Sequence, residues 1–509
     1  MGLARVFSRA IQGMESPRVV VEVHVSSGLP SLTIVGLPEA SVKESKERVR
    51  SALLNSGFDM PAKRVTVNLA PADLPKSGGC YDLAIAIGIL IATEQLVPKL
   101  TGEIELYGEL ALTGELREIS GLLPSLLQLQ ETGQAFIPWH NAVDKQLCAQ
   151  TGHNGKIRLL ENLRQAWVYL NGETPETLSQ EPQFTPLVQR YPLCLSDIQG
   201  QAQAKRLLEI CAAGGHSLLM VGEPGAGKSM LASRLVTLLP PLSEQQALEN
   251  ATIRSLAGQK VELETFYHRP FVSPHHSASA AAVIGGGRVP RPGAISLANH
   301  GVLFLDELPE FNRDVLEALR EPLESGKVDI ARVQQHVAYP ARVQLVAALN
   351  PTPSGYFPDD PLGRCKDTPT QISRYLKKLS GPLLDRIDCH LEVPAVEIEA
   401  LQSTRPDGET SEQVRKRVEG VQERQIARQG CLNSVLSNRQ LNKLVALDTH
   451  SQELLQQAIK RFGLSARSYY RIVRLALTIA DIQEAGSVES AHIAEALSYR
   501  LSQKLSELF

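Results

Sequence analysis

The chain has 509 residues, of which 43% are hydrophobic and 21% charged, with a formal net charge of −3 at pH 7. That length leaves room for roughly three domains with cores of their own, and that composition excludes a disordered or fibrous chain. The near-balanced charge excludes a global basic field, so a nucleic-acid site must be local or repeated around an oligomer. Seven cysteines are scattered with no C-x-x-C pair, which argues for reduced thiols and against a zinc site or a disulfide framework. The longest apolar run, Leu83 to Ala92, is far too short to span a bilayer, and the N-terminus carries no signal segment. A cytoplasmic protein without membrane contact is expected.

In the first 170 residues, Arg18 to Val25 and Arg64 to Leu69 are β-branched and partly alternating, which predicts strands. Ser31 to Val35 predicts a third, stopped by Gly36 and Pro38. Apolar positions at helical spacing over 39–55 predict an amphipathic helix, and Leu83 to Ala92 a buried one. The region is therefore read as an α/β domain. The stretch Ala70-Pro71-Ala72-Asp73-Leu74-Pro75-Lys76-Ser77-Gly78-Gly79-Cys80, with Thr101 to Ile104 and Gly121 to Leu123, resembles the proteolytic domain of Lon-type proteases. That chemistry needs a serine whose proton a lysine accepts. Cys80 stands at the serine position, the lysine position falls near Ser125, and no lysine occurs between Lys99 and Lys145. The resemblance thus implies a Lon-like domain over 1–170 that is not proteolytic. Residues 171–192, with four prolines and no apolar period, are read as a linker.

Gly222-Glu223-Pro224-Gly225-Ala226-Gly227-Lys228-Ser229 matches G-x-x-x-x-G-K-[ST] between an apolar strand, Ser217 to Val221, and a helix start at Met230. Strand, loop and helix are the context a phosphate cradle requires. Backbone amides and a helix N-terminus hold a polyphosphate, Lys228 reaches the β- and γ-phosphates, and the Ser229 hydroxyl holds Mg²⁺. Met230 completes the first turn against the nucleotide. Gly301 to Leu305 is an apolar strand ending in Asp306 and Glu307. Asp306 suits the Mg²⁺ shell and Glu307 a general base for the attacking water. Val343 to Leu349 is another buried strand, ending in Asn350, which fits a sensor that positions that water.

The spacing between Lys228 and Asp306 leaves room for an insertion that includes Arg269 to Ser277 and Gly285 to Gly293. Lys327 to Val337 alternates, which predicts a β-hairpin before the sensor strand. Together these residues resemble the magnesium-chelatase-like AAA+ family, in particular the bacterial YifB/ComM proteins. Arg269-Pro270-Phe271-Val272-Ser273-Pro274-His275-His276 and Leu305-Asp306-Glu307-Leu308-Pro309-Glu310-Phe311 carry the likeness most specifically. It spans nearly the whole chain and implies a P-loop AAA+ core over 193–395 with a helix-2 and a pre-sensor hairpin insertion. An all-α C-terminal lid follows over 396–509.

The resemblance implies an ATP- and Mg²⁺-dependent homo-hexamer that migrates single-stranded or branched DNA in recombination during natural transformation. It makes Arg386, in Leu383-Leu384-Asp385-Arg386, the arginine that reaches a neighbouring subunit's γ-phosphate, with Arg374 as a second candidate. Pairing of Arg386 with Asp385 or Asp388 is the plainer reading. Arg467, opening a lid helix, is placed as a second sensor. Arg288, Arg291, Arg332, Gln334, Gln335 and His336 suit phosphate contacts. His275 and His276 suit stacking, turn capping or a nucleotide contact. Many relatives carry cysteines after the sensor Asn; here only Cys365 follows, so no zinc is expected. Arg415, Lys416, Arg417, Arg424 and Arg428 predict a mostly solvated helix face. A protein-remodelling motor would use the same ATP site, and stimulation by protein rather than DNA would distinguish it.

Overall fold

The computed structural model describes residues 2–100, 102–129, 133–149, 157–174, 191–287, 289–332, 335–395 and 408–500; Arg332 and Gln335 are described by backbone alone. Arg288, Gln334, most of the expected linker and the first residues of the expected lid lie outside them. The chain forms two compact units. One comprises Met1–Leu187, Ala247–Phe266 and Asp329–Tyr339, the other Val188–Gln246, Tyr267–Val328 and Pro340–Phe509. Two stretches that the sequence places within 193–395 therefore pack with the front unit.

In the first unit, strands β1 (Gly2–Arg9), β2 (Arg18–Ser26), β3 (Ser31–Val35), β4 (Arg64–Ala70), β5 (Ile104–Leu106), β6 (Gln134–Pro138) and β7 (Ile157–Leu160) form one mixed sheet in the order β3-β4-β2-β1-β5-β6-β7. On β2 the alternating Val19, Val21, Val23 and Val25 are all buried, the period-2 pattern of a strand with one face on the core. Helix α1 (Ser45–Asn55) buries Val49, Ala52 and Leu53, and helix α2 (Asp82–Ala92) is buried on nearly every side. Gly88 is required inside α2 because a Cβ there would stand 2.5 Å from Val23 Cγ2. At the head of α2, buried Asp82 accepts from Arg48 Nε at 2.7 Å and from the Leu110 amide at 3.2 Å. Behind β1, buried Arg9 and Glu105 form a bidentate pair.

Cys80 is buried, and Ser125 is buried with no partner for its hydroxyl among the described residues. Burial, helped by the charge of Asp82, pushes the Cys80 thiol up to about 12. A thiol becomes a nucleophile through a lowered pKa, so this one is held in the inert form. At pH 8, iodoacetamide is expected to leave Cys80 unmodified in the native protein while partly exposed Cys194, Cys365 and Cys431 react. Peptide mapping by mass spectrometry reads this directly, and labelling of Cys80 as fast as the others would overturn it.

In the second unit, β8 (Leu218–Val221), β9 (Phe271–Val272), β10 (Val302–Leu305), β11 (Gln344–Leu349) and β12 (Cys389–Glu392) form an all-parallel sheet in the order β9-β10-β11-β8-β12. Every residue of β8 and β10 is buried, as expected of strands in a parallel sheet covered on both faces. Helices α3 (Ala202–Gly214) and α4 (Lys228–Leu238) share one core with β8, β10 and β11 and with the C-terminal helices α5 (Ser411–Gln429), α6 (Ala466–Ile482) and α7 (Ser490–Ser498).

Lys416, Arg417, Arg424 and Arg428 of α5 are exposed, as their periodicity predicts, and the three arginines are also paired. Arg417 binds Glu209 at 2.8 Å, Arg424 binds Glu484 at 3.1 Å and Arg428 binds Asp481 at 2.7 Å. They anchor the helix to α3 and α6, which the local charge pattern does not reveal. No helix among the described residues is long and apolar enough to cross a membrane.

Candidate nucleotide site

In a parallel α/β sheet, ligands bind beyond the C-terminal strand ends. Here β8, β10 and β11 all deliver their next residues to that edge. After β8 the chain turns through Gly225 and Gly227, at φ of 80° and 89°. Such values are open to glycine and strained for other residues. Gly222 is needed for another reason: a Cβ there would meet the Val393 carbonyl oxygen at 2.4 Å. Among the described residues the amides of Gly225, Gly227, Lys228 and Ser229 donate to no backbone carbonyl, and the first helical bond of α4 is Leu231 N–H to Gly227 O at 2.9 Å. A ring of unsatisfied donors at a helix N-terminus fits a polyphosphate.

The Lys228 ammonium donates to the carbonyl oxygens of Gly222 and Glu223 at 2.6 and 2.9 Å and to Asn350 Oδ1 at 3.0 Å. Burial pushes its pKa below the usual lysine range, against the opposing pull of Asp306, Glu307 and Glu223. The Ser229 hydroxyl donates to Asp306 Oδ2 at 2.8 Å. A hydroxyl and a carboxylate oxygen so placed are a fitting oxygen pair for Mg²⁺, which takes few protein ligands and keeps water and phosphate oxygens. Three strands thus bring Lys228, Ser229, Asp306 and Asn350 into one hydrogen-bonded cluster. Glu307 follows Asp306 at φ 51°, an uncommon left-handed conformation for a residue with a side chain. Its amide donates to Asp306 Oδ1 at 2.9 Å, and its Oε2 lies 2.8 Å from His276 Nδ1.

Three ion-pairing residues were missed in the sequence, one at the phosphate loop and two at the segment that carries Arg386. Arg364 donates to both Glu223 oxygens at 3.0 and 3.2 Å and to Asp360 Oδ1 at 2.8 Å, with its guanidinium 4.2 Å above the Tyr356 ring. The loop after Asn350 is thereby tied to the phosphate loop. Arg471, one turn after Arg467 in α6, pairs with buried Asp388. Burial raises the Asp388 pKa, but His216, Arg471 and the Ser217 amide outweigh it and hold the carboxyl below its ordinary range. Glu324 is the third: Arg386 Nη2 binds its Oε1 at 2.7 Å, and Arg386 Nη1 donates to the Pro382 carbonyl at 2.7 Å. The plainer reading of Arg386 therefore had the right kind of partner on the wrong residue, because Asp388 is taken by Arg471. No local signal identifies Arg364 or Glu324; both depend on where distant segments pack.

The other candidates lie apart from the cluster. Arg374 and Arg467 are exposed and make no ion pair among the described residues. Met230, in the first turn of α4, is 42% exposed. Arg291 is exposed on a short hairpin formed by Gly285–Gly286 and Arg291–Pro292. The expected pre-sensor hairpin is a two-stranded sheet of Lys327–Arg332 and Gln335–Pro340, with His336 exposed. Among the described residues no three His, Cys, Asp or Glu side chains are grouped to hold a metal ion on their own.

A phosphate loop, an acidic strand end and a polar sensor on one parallel sheet, with a helical C-terminal region, define a P-loop ATPase fold of the AAA+ type. Family models described as magnesium chelatase, subunit ChlI (residues 194–401), subunit ChlI of Mg-chelatase (21–141) and magnesium chelatase, subunit ChlI C-terminal (408–500) all match. The competence protein ComM of Haemophilus influenzae is 46% identical over 516 residues, covering 100% of both chains. The YifB proteins of Escherichia coli and Salmonella typhimurium are 47% and 46% identical, each covering 99% of this chain and 98% of the relative. The chain belongs to the ComM/YifB family of magnesium-chelatase-like AAA+ proteins.

Proposed function

We propose that this chain is the ATP-hydrolysing subunit of a homo-hexameric, cytoplasmic AAA+ motor. Its substrate is single-stranded or branched DNA, and its task is to migrate recombination branches during natural transformation. The observation that carries the ATP reading is the Lys228–Asn350 and Ser229–Asp306 pair of contacts, which sets a cation and an oxygen donor set beside a ring of free amides. In this reading residues 222–230 hold the nucleotide, and Ser229 and Asp306 hold Mg²⁺. Glu307 accepts the proton of the attacking water and Asn350 orients that water. Arg386 acts on the neighbouring subunit, and Arg467 reports nucleotide state to the lid. Bound Mg²⁺ supplies charge neutralisation along the phosphates.

The DNA part rests on the family and on a full-length relative named a competence protein. Arg288, Arg291, Arg332, Gln334, Gln335 and His336 are the proposed phosphate contacts, multiplied by ring symmetry. The front region, 1–170, is a Lon-like domain without protease chemistry, followed by a linker over 171–192, the AAA+ core to 395 and the lid to 509. The expected result is ATP turnover by purified protein that rises with single-stranded or forked DNA and loses that stimulation as salt increases. Turnover indifferent to every DNA and raised by an unfolded protein would replace this with the protein-remodelling reading.

A further inference from the structure

A cavity of about 350 Å³ opens in the first unit between three segments: the turn at Ile119, the start of the helix Ala142–Ala149, and the chain leaving the helix Glu244–Leu256. That volume is in the range of small-molecule sites. Its buried wall is polar and fixed. Asn141 Oδ1 accepts from the Ile119 amide at 3.0 Å, and Asn141 Nδ2 donates to the Ile119 carbonyl at 2.9 Å and to Asp144 Oδ2 at 2.8 Å. Asp144 and Ser255 both line the cavity, and both are nine-tenths buried. Among the described residues Asp144 Oδ1 accepts no hydrogen bond and the Ser255 hydroxyl makes none. Buried polar groups are as a rule hydrogen-bonded, so an open carboxylate oxygen and an open hydroxyl on one space call for a partner within it.

The charge of the site selects the partner. Burial, helped by the charge of Glu118, raises the Asp144 pKa to about 6; the fold leaves this carboxylate without the cation that would offset its burial. Glu118 also lines the cavity. The helix Glu244–Leu256 ends here, turned off by Gly258 at φ 74°, and a helix C-terminus adds partial negative charge. The basic lining groups, Lys260 and His140, are both exposed. Water can supply a hydrogen bond to Asp144 but no compensating charge. We propose that the cavity binds a small organic cation of the alkylammonium or alkylguanidinium class. Its N–H groups donate to Asp144 Oδ1 and the Ser255 hydroxyl, and its stem lies on Ile119, Val143 and Val261. None of these residues belongs to the nucleotide cluster, so the inference stands apart from the ATPase reading.

The test is a ligand-observed NMR titration of the full-length protein at pH 8 with n-butylammonium, and with n-butanol as its uncharged counterpart. Butylammonium is expected to bind with a dissociation constant of about 1 mM, in keeping with so small a ligand. It is expected to bind about 10-fold more tightly than butanol, the scale of a charge-assisted hydrogen bond. Asp144→Asn keeps an acceptor for Asn141 and is expected to bring the two probes to equal affinity. Ser255→Leu fills the cavity while leaving the Asn141 bonds in place, and is expected to abolish binding of both. Equal affinity for the two probes in the parent protein overturns the proposal. So does butylammonium binding that Ser255→Leu leaves intact, a result that decides the matter even if Asp144→Asn does not fold. Binding of Nα-acetyl-lysine amide more tightly than butylammonium overturns the small-molecule source in favour of a lysine side chain presented by a protein.

Discussion

Replacing Glu307 by glutamine is expected to lower ATP turnover by about 100-fold or more while ATP affinity stays within about twofold. The argument is one of division of labour within the site. In the proposed site the binding groups are the loop amides, the Lys228 ammonium, and the Ser229 and Asp306 oxygens. Glu307 bonds to none of them through its side chain; its contact is His276. Glutamine has nearly the same shape and still accepts a hydrogen bond from His276 through its amide oxygen, so the loop geometry survives. What it loses is the ability to take a proton. Phosphate release measures the first effect and titration with a fluorescent ATP analogue the second. Normal turnover in Glu307→Gln would sink the assignment of the base. A large loss of affinity would move Glu307 into the binding shell instead.

The parts of this molecule legible in the sequence are those fixed by local chemistry. The phosphate loop is written in glycines whose positive φ no other residue adopts cheaply, and the acidic strand end in four apolar residues followed by two carboxylates. Strand β2 is equally plain because every second residue is valine. Strand β1 is not, since Arg5 and Arg9 interrupt its apolar pattern; buried Arg9 is tolerated because Glu105, 96 positions away, satisfies it. The same limit explains the site. Arg364, Glu324 and Arg471 matter through partners 141, 62 and 83 positions distant. His276 was visible as a polar residue in a motif, but its link to Glu307 follows from strand register, which no local pattern encodes. The packing of Ala247–Phe266 and Asp329–Tyr339 with the front unit is also tertiary information. The sequence places both within the ATPase region, the second as a hairpin insertion, because periodicity reports an element's own faces and not which body those faces meet.

Replacing Arg386 by alanine is expected to lower turnover by about 1,000-fold, the low end for an arginine that stabilises phosphoryl transfer, with ATP affinity little altered. Within one chain the guanidinium is occupied by Glu324 and the Pro382 carbonyl, and its side chain is 13% exposed. Action on a neighbour therefore requires it to leave Glu324. The cost is modest, because the Glu324 side chain is 60% exposed and surface ion pairs are worth about 1 kcal/mol or less. Two residues on, Asp388 is fixed to Arg471 of the lid helix, and Arg500 donates to the carbonyls of Ile387 and Asp388 at 2.8 and 3.0 Å. The C-terminal helical region thus grips the chain beside Arg386.

Three variants separate this role from a structural pair. Glu324→Ala removes the same ion pair, so a structural role predicts equal losses of melting temperature and turnover in both substitutions. A role in trans predicts loss of turnover in Arg386→Ala alone. Mixing Arg386→Ala with Lys228→Ala, each inactive, is then expected to restore part of the turnover. The Lys228→Ala subunit supplies an intact Arg386 to a neighbour whose nucleotide site is whole. If mixing restores nothing while Arg374→Ala shows the large loss and complements Lys228→Ala, the finger is the exposed Arg374, and Arg386 is left holding Glu324.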